Sequence, residues 1–406
     1  MKLATWERVG QAALSGTLNL AVGQPALSLL PTEKMREAAA RTIGTPDGGD
    51  GVVDPRYLLQ YGAGPGNSKY LSTLAEYLSE RLGHNVAPNN LFATHGNSQG
   101  LALVSRVLSS PGDTLLMEDP SYFLAHNIFK DNGLRLRPMA QHANSSRGTV
   151  DVEAVAALLE AEEEPKPKLL YLVPTANNPT GGFMPDADRS KLVSLCAQHG
   201  VSILADDVYE LLSWGESHPR PLRWHAIQQG VGSTVVSLGS WSKLLGPGLR
   251  LGWVEAEPEL VEQLCRDGAT ASGGGGCPFV DGLVAQLVAS GEAEAHRRLL
   301  NEALGRRAQA LVDAINGELP PQLPRLAAPA GGYFLWVPLP EGADAAAFEA
   351  ACSEEGVSAL PGARCALDAS RGARFARACF AFLEEEELAE AGRRLGRALA
   401  KVGRQG

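Results

Sequence analysis

The sequence contains no Cys-x-x-Cys pair and no cysteine–histidine cluster at zinc spacing, so a structural zinc site is not expected. Its six cysteines (Cys196, Cys265, Cys277, Cys352, Cys365 and Cys379) are scattered along the chain and read as reduced, buried thiols rather than a disulfide framework. No apolar run approaches the length of a membrane span. Glu7 and Arg8 interrupt the N-terminus too early for a secretory hydrophobic region. The expectation is a soluble cytoplasmic protein. An excess of positive charge is also lacking: 36 Lys and Arg stand against 46 Asp and Glu, a net charge of −10. That balance excludes a nucleic-acid binding face, which must be basic, but leaves room for a local site that takes an anion. No internal repeat is visible.

What is present, over 406 residues at 44% hydrophobic and 20% charged, is ordinary globular composition with enough length for a large core. Residues 1–16 read as a helical lead-in, Thr17 to Val22 as a short apolar segment, and Gly23-Gln24-Pro25 as a turn. Helices are expected over Pro31 to Ile43, with Thr32 as cap, and over Ser68 to Leu82, whose Leu71, Leu74, Ala75 and Leu78 share one face. Residues 44–56, rich in Gly, Asp and Pro, read as a loop. From residue 91 short apolar strands alternate with helical patterns. The strands are Leu91 to Thr94, Thr114 to Glu118, Leu169 to Val173, Val201 to Ala205, Thr234 to Leu238 and Gly252 to Val254. Gly96 to Gly100 reads as a turn before a helix from Gly100 to Leu108, and Asp186 to His199 as another helix. This alternation implies an α/β domain with a mostly parallel sheet covered by helices on both faces. Helical patterns over 280–317, a strand from Tyr333 to Pro338, a helix from Ala345 to Glu355, a strand from Phe375 to Phe382 and a final helix from Glu384 to Lys401 imply a smaller α+β domain. The division expected is an N-terminal segment, 1–40, packing with the small domain; a large domain, 41–288; and a small C-terminal domain, 289–406. The acidic runs Glu162 to Glu164 and Glu384 to Glu387 read as solvated faces, and Gly273 to Gly276 as a flexible or tightly turned loop.

The chemistry concentrates in Ser240-Trp241-Ser242-Lys243-Leu244-Leu245-Gly246-Pro247-Gly248-Leu249-Arg250, directly after an apolar strand. A lysine in an apolar, glycine-rich loop pays for its charge in lost hydration, which suits an amine that must be neutral to form a Schiff base. The serines and Arg250 suit a phosphate dianion. By composition alone the segment also fits a polar loop with a surface lysine. Two further segments follow strands in the same way: Asn177-Asn178-Pro179-Thr180-Gly181-Gly182 and Ala205-Asp206-Asp207-Val208-Tyr209. Ligands in open α/β sheets gather at strand carboxyl ends, so one crevice can collect Asn178, Asp206, Tyr209 and Lys243. Pyridoxal 5'-phosphate (PLP) needs such a set: a carboxylate to keep its pyridine nitrogen protonated and donors to its phenolic oxygen. No metal site is expected.

These segments, in this order, resemble the fold type I aminotransferases of class I/II, and most the branch of 2-aminoadipate and kynurenine aminotransferases. The resemblance runs from Gly23-Gln24-Pro25 through Tyr61-Gly62 with Gly66, Thr94 to Gly100, Glu118-Asp119-Pro120-Ser121-Tyr122, Asn177 to Gly181, Asp206 and Tyr209, Ser240 to Arg250, and Pro329-Ala330-Gly331-Gly332, to Arg377-Ala378-Cys379-Phe380. It implies Lys243 as the cofactor-bearing and proton-transferring amine and Asp206 as partner of the pyridine nitrogen. Tyr209 and Asn178 would bond the ring oxygen, and Tyr122 would stack on the ring. Ser240, Ser242 and Arg250 would hold the phosphate, joined by Asn97, Ser98 and Gln99 at a helix start. Tyr61 would reach the phosphate of a second subunit, which implies a homodimer with shared active sites. Arg377 would take the substrate carboxylate as a planar fork, with Asn178 and Gly23 beside it. Arg374, three residues earlier, is expected on the opposite strand face.

Cys379 stands where the family usually has serine, and Cys365 where an aromatic residue often follows the turn, here Pro361-Gly362. Both are expected to shape the substrate pocket and to stay clear of the core chemistry. No second arginine matches the one that aspartate-type enzymes use on a distal carboxylate. The implied activity is transfer of an amino group from an L-amino acid (aromatic, 2-aminoadipate-like or broad) to a 2-oxo acid such as 2-oxoglutarate. The alternatives are a PLP-dependent β-lyase, decarboxylase or synthase on the same fold. A regulator behind a winged helix is disfavoured, because the family pattern begins near residue 20 and the charge is acidic. A PLP-free α/β binding protein is the remaining rival.

Overall fold

The computed structural model describes residues 16–43, 55–139, 141, 149–161, 165–215 and 218–403. The lead-in over 1–15, most of the loop over 44–56 and the Glu162 to Glu164 run lie outside the described residues. In chain order the strands are β1 (Leu18–Asn19), β2 (Leu91–Thr94), β3 (Thr114–Glu118), β4 (Arg135–Met139), β5 (Pro167–Leu172), β6 (Ser202–Asp206), β7 (Val235–Ser240), β8 (Gly252–Glu255), β9 (Phe334–Pro338), β10 (Val357–Ser358), β11 (Leu360–Pro361) and β12 (Phe375–Cys379).

Seven strands form one sheet in the order β2-β8-β7-β6-β5-β3-β4. From β7 across to β4 neighbours run parallel, while β8 is antiparallel to both β7 and β2. The inner strands are buried on both faces, which is why they read as continuous apolar runs rather than alternating ones. Each of Ile203, Leu204, Val235, Val236 and Leu238 is buried here, a contribution of about 1.5–3 kcal/mol per side chain relative to exposure. A second sheet of three antiparallel strands, β11-β12-β9, stands apart, and β1 pairs in parallel with β10. The helix Glu385–Val402 packs against both Glu292–Glu318 and Ala345–Glu355.

Local signals explain most element ends. The helix Ser68–Leu82 starts where the Asn67 side chain accepts the Tyr70 N–H at 3.1 Å, and stops at Gly83, whose φ of 76° is left-handed. Its buried face includes the four residues expected from spacing. The helix Asn97–Leu108 begins three residues earlier than expected: Gly96 turns the chain, and the Gln99 side chain accepts the His95 N–H, so Asn97 to Gln99 are already helical. The strand β4 is not among the expected ones. It is an edge strand of sequence Arg-Leu-Arg-Pro-Met, exposed enough to carry charge and proline. The strands over β5 to β7 are offset by one or two residues from the expected spans. Thr32 is the first residue of its helix rather than the cap before it. The acidic run at Glu384 is more than a solvated face: Glu384 pairs at 2.5 Å with the buried Arg307 and closes a capping box with Glu387. The expected glycine loop is a close approach. A side chain at Gly275 would come within 2.7 Å of the Gly64 carbonyl.

Candidate active site

Three strand ends lie side by side in the sheet. Asp206 closes β6, Ser240 closes the adjacent β7, and the loop after β5 carries Asn177 and Asn178. The β7 loop is anchored by Trp241, fully buried, whose indole N–H donates to the Tyr70 hydroxyl at 2.9 Å. That anchor leaves Lys243 half-buried with its amine turned into the crevice, where Nζ donates to the Gly23 carbonyl at 3.2 Å. Burial pushes the Lys243 amine down to about 8. The Cys379 thiol and the Asp206 carboxylate act upward on it, and Arg377 and Arg250 act downward.

Asp206 is buried, and each of its oxygens has a donor: the Tyr171 hydroxyl at 2.8 Å and Asn97 Nδ2 at 2.7 Å. Burial raises its pKa, while the bonds from Tyr171 and Asn97 and the charge of Lys243 act against that rise. Asn97 therefore commits its side chain to Asp206 and to the Leu238 carbonyl (2.9 Å), not to an anion at the helix start. Tyr171 carries no site signal in the sequence except that it is a tyrosine in an apolar strand, where a buried hydroxyl needs a partner.

At the other end of the crevice lies the start of the helix Asn97–Leu108, whose first N–H groups have no acceptor within the helix. Arg250 lies across it, donating to the His95 carbonyl at 3.0 Å and the Pro247 carbonyl at 3.2 Å. Ser240 Oγ accepts the Ser242 N–H at 3.1 Å, tightening the turn. Ser98 is a hydrogen-bond partner of the Tyr122 phenol, and Gln99 is committed to the His95 N–H. Burial raises the Tyr122 pKa, the Asp206 charge adds to that, and Ser98, Arg377 and Arg250 oppose it. Tyr122 thus stands between the carboxylate end and the arginine end. Glycine is required at position 96: φ is 83° and ψ 167°, and a Cβ would stand 2.8 Å from Arg250 Nη2. Gly96→Ala is expected to cost about 1–3 kcal/mol of stability and to weaken anion binding by displacing Arg250. Thermal melting and phosphate titration measure the two, and an unchanged melting midpoint would refute the assignment of strain.

Arg377 in β12 is buried, whereas Arg374 is exposed just before the strand. Arg377 Nη1 donates to Asn178 Oδ1 at 2.8 Å and Nη2 to the Ala21 carbonyl at 2.9 Å, with the guanidinium 4.1 Å over the Phe334 ring. Nε is buried and has no hydrogen-bond partner among the described residues. A guanidinium carries more N–H donors than these two contacts use, so donors remain for a carboxylate. Tyr209 is buried between the Tyr333 and Phe334 rings, with centroids at 5.6 and 6.2 Å. Gly23 lies beside Phe334, since a Cβ there would come within 2.9 Å of that ring. Tyr61 is 87% exposed at the surface. Burial raises the Cys379 pKa, with the Ala381 N–H and the charges of Arg377 and Lys243 acting against the rise, and it pushes the Cys365 thiol up to about 11 against the charges of Arg377 and Arg364. The asparagine loop is held from below by Glu118, which accepts the Val173 N–H at 3.0 Å and Asn177 Nδ2 at 2.7 Å. Burial pushes Glu118 up to about 8.

A buried carboxylate, an amine with lowered pKa, a basic helix start and a buried arginine with spare donors form a set that fits a phosphorylated pyridine aldehyde beside an α-carboxylate. The family model described as aminotransferase class I and II matches residues 15–395, and the chain belongs to that family. It is 33% identical over 387 residues to the 2-aminoadipate transaminase of Thermus thermophilus, covering 95% of this chain and 90% of that one. It is 28% identical over 390 residues to aromatic-amino-acid aminotransferase 1 of Thermococcus litoralis, covering 94% and 87% of the two chains. The solved structure of α-aminoadipate aminotransferase LysN, also from Thermus thermophilus and complexed with N-(5'-phosphopyridoxyl)-L-leucine, superimposes with a TM-score of 0.81 at 31% identity and full coverage of both chains.

Proposed function

We propose that this protein is a PLP-dependent aminotransferase that moves the amino group of an L-amino acid to a 2-oxo acid such as 2-oxoglutarate. What supports the reading is that Lys243, Asp206 and Arg377, from three separate segments of the chain, lie near enough for the charges of Asp206 and Arg377 to act on the buried Lys243 amine. When bound, PLP supplies an electron sink that makes the substrate Cα–H acidic. Asp206 would hold the pyridine nitrogen, with Tyr171 and Asn97 keeping the carboxylate oriented. Tyr209 and Asn178, whose Oδ1 accepts from Arg377, would face the ring oxygen, and Tyr122 the ring face. Arg250, Ser240, Ser242 and the N–H groups at Asn97, Ser98 and Gln99 would hold the phosphate. Arg377 orients the substrate carboxylate with Asn178 and Gly23 beside it. Lys243 Nζ, whose pKa burial lowers to about 8, would take the Cα proton and give it back without holding it too tightly.

The donor class that fits best is aromatic, 2-aminoadipate-like or broad. The Phe334 ring beside Arg377 and the names of the relatives support this. Tyr57, Leu59 and Tyr61, close together in the chain, are exposed at 65%, 76% and 87%, which supports a homodimer in which Tyr61 completes the partner's phosphate site. The pairing of β1 with β10, and the turn at Ser290–Gly291 between two helices, support a division into an N-terminal segment 1–40 that joins the small domain, a large domain 41–288 and a small domain 289–406. Six free thiols suit a cytoplasmic location. The test is a donor panel on PLP-loaded protein. Amino acids of the right class are expected to shift the cofactor absorbance to that of the pyridoxamine form and release one oxo acid per site. Amines without a carboxylate should not. A colourless protein that ignores both PLP and donors would overturn the reading.

A further inference from the structure

The approach to β9 places one more side chain on the lysine. Gly331 and Gly332 pass where no side chain fits: a Cβ at Gly331 would come within 2.6 Å of the Leu212 carbonyl, and one at Gly332 within 2.8 Å of the Ala176 Cβ. The Gly332 N–H donates to the Leu212 carbonyl at 2.9 Å, and its φ is 72°. Threaded between these two loops, the chain delivers Tyr333, 1% exposed, onto the Lys243 turn. The Tyr333 hydroxyl donates to the Lys243 main-chain carbonyl at 2.9 Å, and its ring centroid lies 5.2 Å from Lys243 Nζ. One aromatic residue therefore holds both ends of the lysine.

The surroundings of Nζ make this contact consequential. The groups that face it are Asp206 from β6, Cys379 and Arg377 from β12, Arg250 from its own loop, the Gly23 carbonyl and the Tyr333 ring. Among the described residues no carboxylate is within salt-bridge distance of Nζ. An ammonium formed there has only a carbonyl, a ring face and the more distant Asp206 charge to stabilise it. A cation within about 6 Å of an aromatic centroid is attracted by the ring quadrupole. A ring face suits a base that must accept a proton and then release it, because it is weaker than a contact carboxylate and does not trap the charge.

We propose that Tyr333 is a positioning residue for Lys243: its hydroxyl fixes the lysine turn, and its ring face steadies the amine while it carries a proton. The inference rests on the reading of Lys243 as the reacting amine. The test uses the full chain with Tyr333→Phe, which keeps the ring, and Tyr333→Leu, which removes it, with Tyr333→Met as the substitute should the leucine variant fail to fold. In cofactor-free protein, the pH dependence of Lys243 acetylation by acetic anhydride, read by peptide mass spectrometry, reports its titration without any turnover. The parent midpoint is expected near 8. Removing the ring is expected to lower it by roughly half to one pH unit, since less stabilisation of the ammonium means earlier loss of its proton. Tyr333→Phe is expected to hold the parent midpoint but to lose roughly three- to tenfold in kcat with little change in KM, because a buried carbonyl loses its donor. Equal midpoints in all variants would overturn the role of the ring, and an unchanged kcat in Tyr333→Phe would overturn that of the hydroxyl. Failure of the parent to bind PLP would instead count against the proposed function, and the acetylation midpoints would still be readable.

Discussion

Lys243→Ala is expected to fold like the parent and to lose turnover by roughly a thousandfold or more, since it removes both the nucleophile and the proton acceptor. The fold is insulated from the change. Among the described residues the side chain donates one hydrogen bond, to the Gly23 carbonyl, and the Tyr333 hydroxyl bonds the main-chain carbonyl that alanine keeps. Removing an amine that burial disfavours in its charged form is also expected to leave thermal stability equal or slightly higher. Single-turnover absorbance with saturating donor measures the first effect and a melting curve the second. Partial recovery on adding a small primary amine is expected, because a free base can enter the space left by the side chain. A variant retaining turnover within tenfold of the parent would sink the assignment of Lys243.

The second large effect belongs to Asp206→Asn, expected to lower the rate of the amino-donor half-reaction by roughly a hundred- to a thousandfold. That is the scale for losing one preorganised electrostatic partner. The substitution keeps the shape and removes the charge. It also disturbs the donors around the site. Tyr171 and Asn97 each aim a donor at a different Asp206 oxygen, and an amide can accept at only one of them. The unmatched donor costs about 1–3 kcal/mol of stability. Because the Asp206 charge raises the Lys243 pKa, its loss is expected to move the Lys243 acetylation midpoint below about 8. The rate and the midpoint should therefore change together. A rate within threefold of the parent with an unmoved midpoint would show that Asp206 does not act on this centre.

Much of this architecture was legible because the relevant signals are local. The helix Ser68–Leu82 follows from its apolar spacing, and it, Asp186–His199 and Ala345–Glu355 each end at a glycine in the left-handed region. The inner strands follow from their apolar runs. What was missed depends on neighbours. The strand β4 looks like a polar loop until β3 pairs with it, and the two-residue strands β10 and β11 exist only through β1 and β12. Asn97 is expected at an anion-binding helix start through its N–H; its side-chain bond to Asp206 was not legible, because the crossover from β2 to β3 carries that helix start past the end of β6.

By itself the sequence determined which residues could do the chemistry. Lys243 after an apolar strand, Asp206 at the end of another and the ordered glycine, asparagine and arginine motifs are properties of local composition and spacing. Only the tertiary structure decided what those residues touch. Tyr171 on Asp206, Tyr333 on Lys243 and Asn178 on Arg377 are contacts between segments far apart in the chain. Strand order and the packing of the second sheet set them, and no periodicity along one segment encodes the position of another.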